Sequence, residues 1–278
     1  MGVHHSEPRL NAVAGCSVLQ APRRESNREI PKGLAPDLET AMSAADLAHL
    51  SEIRFAWDRG GPVVLDIPEL RIGNGEKLFI KGPSGSGKST LLSLVGGVVT
   101  AQSGDMRLLG TSLSSLPAAA RDKFRVDHIG FVFQLFNLLP YLSLIDNVVL
   151  PCRFSRLRRD KALQRSAHPR AEAARLLNHL GLEPARFAKR PVAELSVGQQ
   201  QRVAAARALI GQPELIVADE PTSALDTELR GAFLELLFEE VAASTSTLVF
   251  VSHDPALQAY FDRTVDLPSL NRASHESL

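Results

Sequence analysis

Apolar positions along this chain follow two alternating rhythms. Short, nearly unbroken runs bounded by glycine, lysine or an acid give way to longer stretches where leucine, alanine and valine return every three or four residues. The runs Lys77-Leu78-Phe79-Ile80-Lys81, Ile129-Gly130-Phe131-Val132-Phe133, Glu214-Leu215-Ile216-Val217-Ala218-Asp219 and residues 247–252 are of the first kind and predict buried strands. Residues 89–99, 144–149, 171–180, 199–210 and 231–242 are of the second kind and predict helices, with Gly181 as a stop after the third. Earlier in the chain, residues 51–57 alternate as a strand does. Val63-Val64-Leu65-Asp66-Ile67 and Leu70-Arg71-Ile72 read as further strands around the turn residues Gly60-Gly61 and Gly73-Asn74-Gly75. Strands alternating with helices predict an α/β fold with a mostly parallel sheet covered on both faces. In such a fold, ligand chemistry belongs at the carboxyl ends of the strands.

Residues 1–49 differ from the rest of the chain. Pro8, Pro22, Pro31 and Pro36 interrupt them, and a sustained period begins only across residues 38–50. The expectation is a disordered or loosely attached extension with one short helix near its end. A misassigned start codon would give the same appearance. The folded domain is expected over 50–270, with a tail at 271–278.

Composition narrows the classes. Thirty-one basic residues balance 31 acidic ones in 278, so there is no electrostatic footprint for nucleic acid or an anionic membrane surface. The cluster Arg153, Arg156, Arg158, Arg159 and Lys161 reads as a solvated face. Cys16 and Cys152 lie far apart and outside any C-x-x-C pattern, which argues against a disulfide or zinc site and for a reducing cytosol. No apolar run approaches the ~18–20 residues that span a bilayer. The amino terminus lacks a signal-peptide layout. A membrane connection would run through a partner.

The chemistry concentrates in two places. Gly82-Pro83-Ser84-Gly85-Ser86-Gly87-Lys88-Ser89-Thr90 lies between a predicted strand and a predicted helix, as a phosphate-binding loop requires. Gly82, Gly85 and Gly87 permit backbone angles that turn amide N–H groups inward to form an anion site at a helix amino terminus. Lys88 supplies charge to the β- and γ-phosphates of a nucleoside triphosphate, and Ser89 offers a hydroxyl to Mg²⁺. At the end of the run 214–219, Asp219 is placed to hold magnesium through water, and Glu220 to orient an attacking water.

Leu195-Ser196-Val197-Gly198-Gln199-Gln200-Gln201-Arg202 resembles the signature of ATP-binding-cassette (ABC) ATPases, usually Leu-Ser-Gly-Gly-Gln. Other marks of that family stand in order. Gln134 matches the Q-loop glutamine, Ser223-Ala224-Leu225-Asp226 the D-loop, and His253 the switch histidine; Trp57 occupies the position of an adenine-stacking aromatic. The resemblance covers about residues 50–267. It implies ATP and Mg²⁺ as ligands, an antiparallel β subdomain beside the P-loop NTPase core, and a helical subdomain at about 135–200. It assigns catalysis to Glu220, His253, Lys88 and Gln134, and metal binding to Ser89, Gln134 and Asp219. Nucleotide contacts would fall to Trp57, Gly82, Ser84, Gly85, Ser86, Gly87, Lys88, Ser89, Thr90, Ser196, Gly198, Gln199 and Asp226. Two departures stand out. Val197 replaces the signature's first glycine, and Trp57 replaces the more usual tyrosine, with Phe55 a rival for the stacking role.

The stretch Gly130-Phe131-Val132-Phe133-Gln134-Leu135-Phe136-Asn137-Leu138-Leu139-Pro140 is similar to the Q-loop of lipoprotein-release and macrolide-export ATPases. That likeness implies a homodimer closing on ATP beneath a separate integral-membrane permease, at the cytoplasmic face of the inner membrane. Amino-acid importer ATPases carry similar phrases. A soluble ABC protein acting on nucleic acid is disfavoured by the neutral charge and the single cassette.

Overall fold

The computed structural model describes residues 46–187, 190–223 and 227–275. The expectations for residues 1–45 lie outside them. The strands are β1 (Asp46–Phe55), β2 (Leu65–Gly73), β3 (Lys77–Lys81), β4 (Ser103–Leu108), β5 (Thr111–Ser112), β6 (Ile129–Val132), β7 (Leu215–Asp219), β8 (Thr247–Val251) and β9 (Arg263–Asp266). The helices are α1 (Lys88–Val95), α2 (Ala118–His128), α3 (Leu144–Phe154), α4 (Arg156–Arg165), α5 (Pro169–His179), α6 (Val197–Leu209), α7 (Thr227–Ala243) and the short α8 (Leu267–Leu270).

The parallel sheet has the order β6-β7-β8-β3-β9, and an antiparallel sheet has the order β2-β1-β4-β5. Successive residues of the central parallel strands feed two separate cores. Phe79, Ile216, Ala218, Leu248 and Phe250 pack with α6, α7 and the helices of the 144–179 region. Leu78, Ile80, Leu215, Val217, Val249 and Val251 pack with α1 and the antiparallel sheet. Burial on both faces is why these strands read as unbroken apolar runs.

Several local expectations are corrected. The first strand starts at Asp46 rather than 51, so residues 46–50 form strand rather than the end of a short helix. Leu47, Ala48, His49 and Leu50 are all buried, so alternation is absent there, and Glu52 at φ 50 marks a register shift against β4. The two short strands expected at 63–67 and 70–72 are one strand, β2. Pro68 is accommodated because β2 is an edge strand, where a missing N–H costs no ladder bond. Helix α1 ends at Val95, before Gly96 and Gly97, not at 99. Asn271, expected in the tail, is buried; its side chain accepts from the Asp66 N–H and donates to the Val64 carbonyl.

The largest correction concerns the basic cluster. Arg158 is buried and donates to the carbonyls of Ile129, Arg207, Ala208 and Ile210. Lys161 donates to the Gln212 carbonyl at 3.0 Å and pairs with Glu214 at 2.7 Å. Ser155 caps α4 and donates to Asp127 at 2.6 Å. Helix α4 thus holds the core through three side chains on one face; Arg156 and Arg159 on the other are the solvated ones.

Burial acts to raise the Glu214 carboxyl pKa, but hydrogen bonds from His128 and Lys161, with the Lys161 charge, outweigh it and bring the pKa down to about 2. Because the folded value lies below the ordinary 4.5, this stabilisation is complete above pH 4.5 and is lost as pH falls toward 2. Glu214→Gln is expected to lower stability at pH 7 by about 1–2 kcal/mol after solvent screening, with the deficit shrinking as the medium is acidified. Urea unfolding at pH 7 and pH 3 measures both.

Candidate active site

Parallel pairing of β7, β8 and β3 brings three strand ends together. Asp219 ends β7, Val251 ends β8 beside it, and β3 delivers the chain at Lys81 into the glycine loop. Gly87 caps α1 in the left-handed region at φ 94, and a Cβ there would lie 2.8 Å from Leu65 Cδ2. Both the angle and the closeness of β2 demand glycine at that position. Gly82 departs from the expectation of a left-handed turn. Its backbone is not left-handed, but a Cβ would stand 2.7 Å from Ser86 Oγ. That hydroxyl is buried and lacks a hydrogen-bond partner, a polar atom awaiting one inside the loop.

Lys88 is buried, and its ammonium donates to the Gly82 carbonyl at 2.9 Å and the Pro83 carbonyl at 2.8 Å. The loop is therefore folded around a fixed positive charge. A cleft of about 430 Å³ opens over it, lined by Trp57, Val64, Ser84, Gly85, Gly87, Lys88, Ser89, Thr90, Gln134, Asp219 and Glu220. Of the two aromatic candidates, Phe55 is buried at 5% exposure, whereas Trp57 is 61% exposed on the cleft. The rings meet edge to face at 5.1 Å, so Phe55 steadies the indole at the cleft. Val64 is a wall residue that sequence reasoning missed, since it reads only as part of a strand.

Burial raises the Asp219 carboxyl, and the adjacent Glu220 charge adds to it; the Ser89 hydrogen bond and the Lys88 charge oppose without cancelling. A carboxylate so desolvated gains from a cation. Ser89 hydroxyl, Gln134 amide carbonyl and Asp219 carboxylate form an all-oxygen donor set, which suits Mg²⁺. Among the described residues, no group of three or more His, Cys, Asp or Glu is placed to hold a metal by itself.

Glu220 takes φ 43, an unusual angle for a side-chain-bearing residue. Its N–H donates to the Val251 carbonyl at 3.0 Å, and its carbonyl accepts from Ser223 N–H at 3.2 Å. This sharp turn swings the carboxylate over the strand end, where Oε2 lies 3.2 Å from His253 Nδ1. His253 is exposed, and the chain beyond it is pinned by Asp254, which caps the next turn and pairs with Arg230.

Ser196 stands elsewhere. It is the N-cap of α6, accepting from the Gln199 N–H at 3.3 Å, while Gln199 Oε1 accepts from the Ser196 N–H at 3.0 Å. Gln199 thus spends its side chain on the helix start. Ser196 and Val197 are exposed, and Ser196, Gly198 and Gln199 do not line the cleft. Asp226 lies outside the described residues.

The ABC transporter family profile matches residues 65–223. The chain is 41% identical to the lipoprotein-releasing system ATP-binding protein LolD of Chromohalobacter salexigens over 212 residues, covering 75% of this chain and 86% of that protein. It is 39% identical to the macrolide export ATP-binding/permease protein MacB of Shigella flexneri over 223 residues, covering 80% of this chain but 33% of that longer protein. Among solved structures it resembles the dimeric post-hydrolysis state of the ATP-binding cassette MJ0796 bound to ADP and Pi. There the TM-score is 0.68 at 34% identity, over 79% of this chain and 93% of that one. A phosphate loop, an acidic strand end and a capped signature helix on this fold lead to the same conclusion: the chain belongs to the ABC transporter family, as one of its ATP-hydrolysing cassettes.

Proposed function

We propose that two copies of this cassette close around ATP and thereby drive a separate membrane subunit in export or in extraction of a lipoprotein-like cargo. One observation carries the two-copy reading. The cleft and its rim gather the groups assigned to base, phosphate, metal and water, whereas the signature sits exposed at the start of α6 and outside the cleft. A second copy supplies what the first lacks.

In this reading the adenine stacks on Trp57. The Lys88 ammonium turns from the Gly82 and Pro83 carbonyls toward the β- and γ-phosphates, with Ser84, Ser86 and Thr90 adding hydroxyls around the loop. Ser89, Gln134 and Asp219 would hold Mg²⁺, which when bound neutralises charge on the β- and γ-phosphates. The second copy's Ser196 hydroxyl and Gly198 N–H meet the γ-phosphate at a helix amino terminus, where the dipole favours anions. Glu220 takes a proton from water as its oxygen attacks the γ-phosphorus; the bond to the bridging oxygen breaks, leaving ADP and phosphate. His253, held beside Glu220, hydrogen-bonds the γ-phosphate.

The export branch is supported by the names of the LolD and MacB relatives. A membrane partner is supported by an apolar groove of about 360 Å³ lined by Phe131, Phe133, Leu139, Leu150, Pro151 and Phe154, residues that lie on both sides of Gln134 in the chain. Phe154 is 68% exposed on it. No helix among the described residues is long and apolar enough to cross a membrane. We therefore place the cassette at the cytoplasmic face of the inner membrane, held there by the permease through this groove.

Glu220→Gln should reduce steady ATP turnover by roughly 100-fold or more while ATP still quenches Trp57. Turnover at the native rate would remove Glu220 from the water-activating role. Ser196→Arg should abolish turnover with little change in ATP affinity of the dilute monomer, whereas parallel loss of both would sink the two-copy site. Phe154→Asp should sharply cut recovery of the chain with native membranes at unchanged basal turnover; unaltered recovery would exclude the groove as the docking face.

A further inference from the structure

Val197 stands where the start of α6 is already fixed by other residues. Leu195 is buried in the core and its carbonyl accepts from the Gln200 side chain at 2.9 Å, while Ser196 and Gln199 close the capping box on each other. Val197 opens the helix in right-handed backbone, so no angle there calls for glycine. Nor does the helix gain from a β-branched residue, which loses χ1 freedom against the neighbouring turn. Its side chain is 50% exposed. A single chain therefore gains little from valine at this point.

Its neighbours set it apart from other exposed apolar residues. Ser196 and Gly198 are the residues that meet the second copy's γ-phosphate in the two-copy reading, and consecutive Cα atoms lie about 3.8 Å apart. A side chain held between them is carried into the closing interface. The glycine loop that receives it has room: Pro83, Ser84 and Gly85 are exposed, and a Cβ added at Gly85 would meet nothing within 4 Å. We propose that Val197 is an apolar contact to the second copy, which tightens the ATP-closed pair beyond what glycine in its place allows and slows its reopening. The inference rests on the two-copy reading and deepens it by naming a residue that sets how firmly the pair closes. Because the pair is symmetric, each closure buries two such side chains, and their contributions add.

The test uses the full chain carrying Glu220→Gln, so that bound ATP persists, and follows pair formation with ATP by sedimentation velocity over a range of protein concentrations. Val197→Gly should weaken the pair by about tenfold or more, and Val197→Ala by about fivefold. ATP affinity of the dilute monomer, read from quenching of Trp57, the chain's single tryptophan, should stay within about twofold in both variants. Alanine is the decisive substitution. It is the best helix former, so a role in the helix start alone would leave Val197→Ala as tight as the parent. That result overturns the proposal, as does a glycine or alanine variant that pairs more tightly, which would make the valine an obstacle at the phosphate. Monomer ATP affinity falling together with pairing also overturns it. A Glu220→Gln chain with Val197 intact that stays monomeric with ATP sinks the two-copy reading and this inference together; a pairing parent with indifferent Val197 variants sinks the inference alone.

Discussion

Parallel pairing of β3, β7 and β8 is the constraint on which the rest depends. Parallel strands end on the same side, so the register Ile80↔Val251 and Asp219↔Val251 places the glycine loop, the acidic pair and His253 side by side although 171 positions separate Gly82 from His253. The same pairing requires cover on both faces, which the antiparallel sheet with α1 and the α6–α7 side provide. Function and stability therefore rest on one set of backbone hydrogen bonds. A shift of one residue in β7 would turn Asp219 from the cleft and exchange the two cores at once.

The most legible elements were those whose signal is local. The runs of β3, β6, β7 and β8 are apolar on both faces, and the glycine loop has a fixed spacing. What the sequence concealed depends on distant partners. None of the residues of α2 is buried, so no apolar period announces it. Only Met106 and Leu108 of β4 are buried, and its remaining residues read as loop. Arg158 looks like any surface arginine until α6 presents it with orphan carbonyls. Val64 enters the cleft wall only because β2 comes against Gly87. In the site itself, residue types, their order and the two-copy arrangement were readable through the family resemblance; which residues line one cleft was visible only in three dimensions.

Arg158 shows how a charge can be buried against backbone carbonyls rather than a carboxylate. The last carbonyls of a helix carry partial negative charge and lack intrahelical donors. One guanidinium satisfies several of them, and although burial lowers its pKa to about 10 against the opposing influence of Cys152, Glu214 and Asp127, it remains cationic at neutral pH. Helix α6 is thereby closed at both ends by side chains, the Ser196–Gln199 box at one and Arg158 at the other. Such a helix is held against fraying at both ends.

The distance between Ser196 and the cleft has a genetic consequence. If each site takes its pocket from one chain and its signature from the other, lesions complement according to where they fall. A pair with Ser196→Arg in one chain and Glu220→Gln in the other damages the same composite site twice and leaves its twin whole. The identical two lesions in one chain damage both. Allele arrangement, not allele number, then decides whether a mixed population of this ATPase retains a working half.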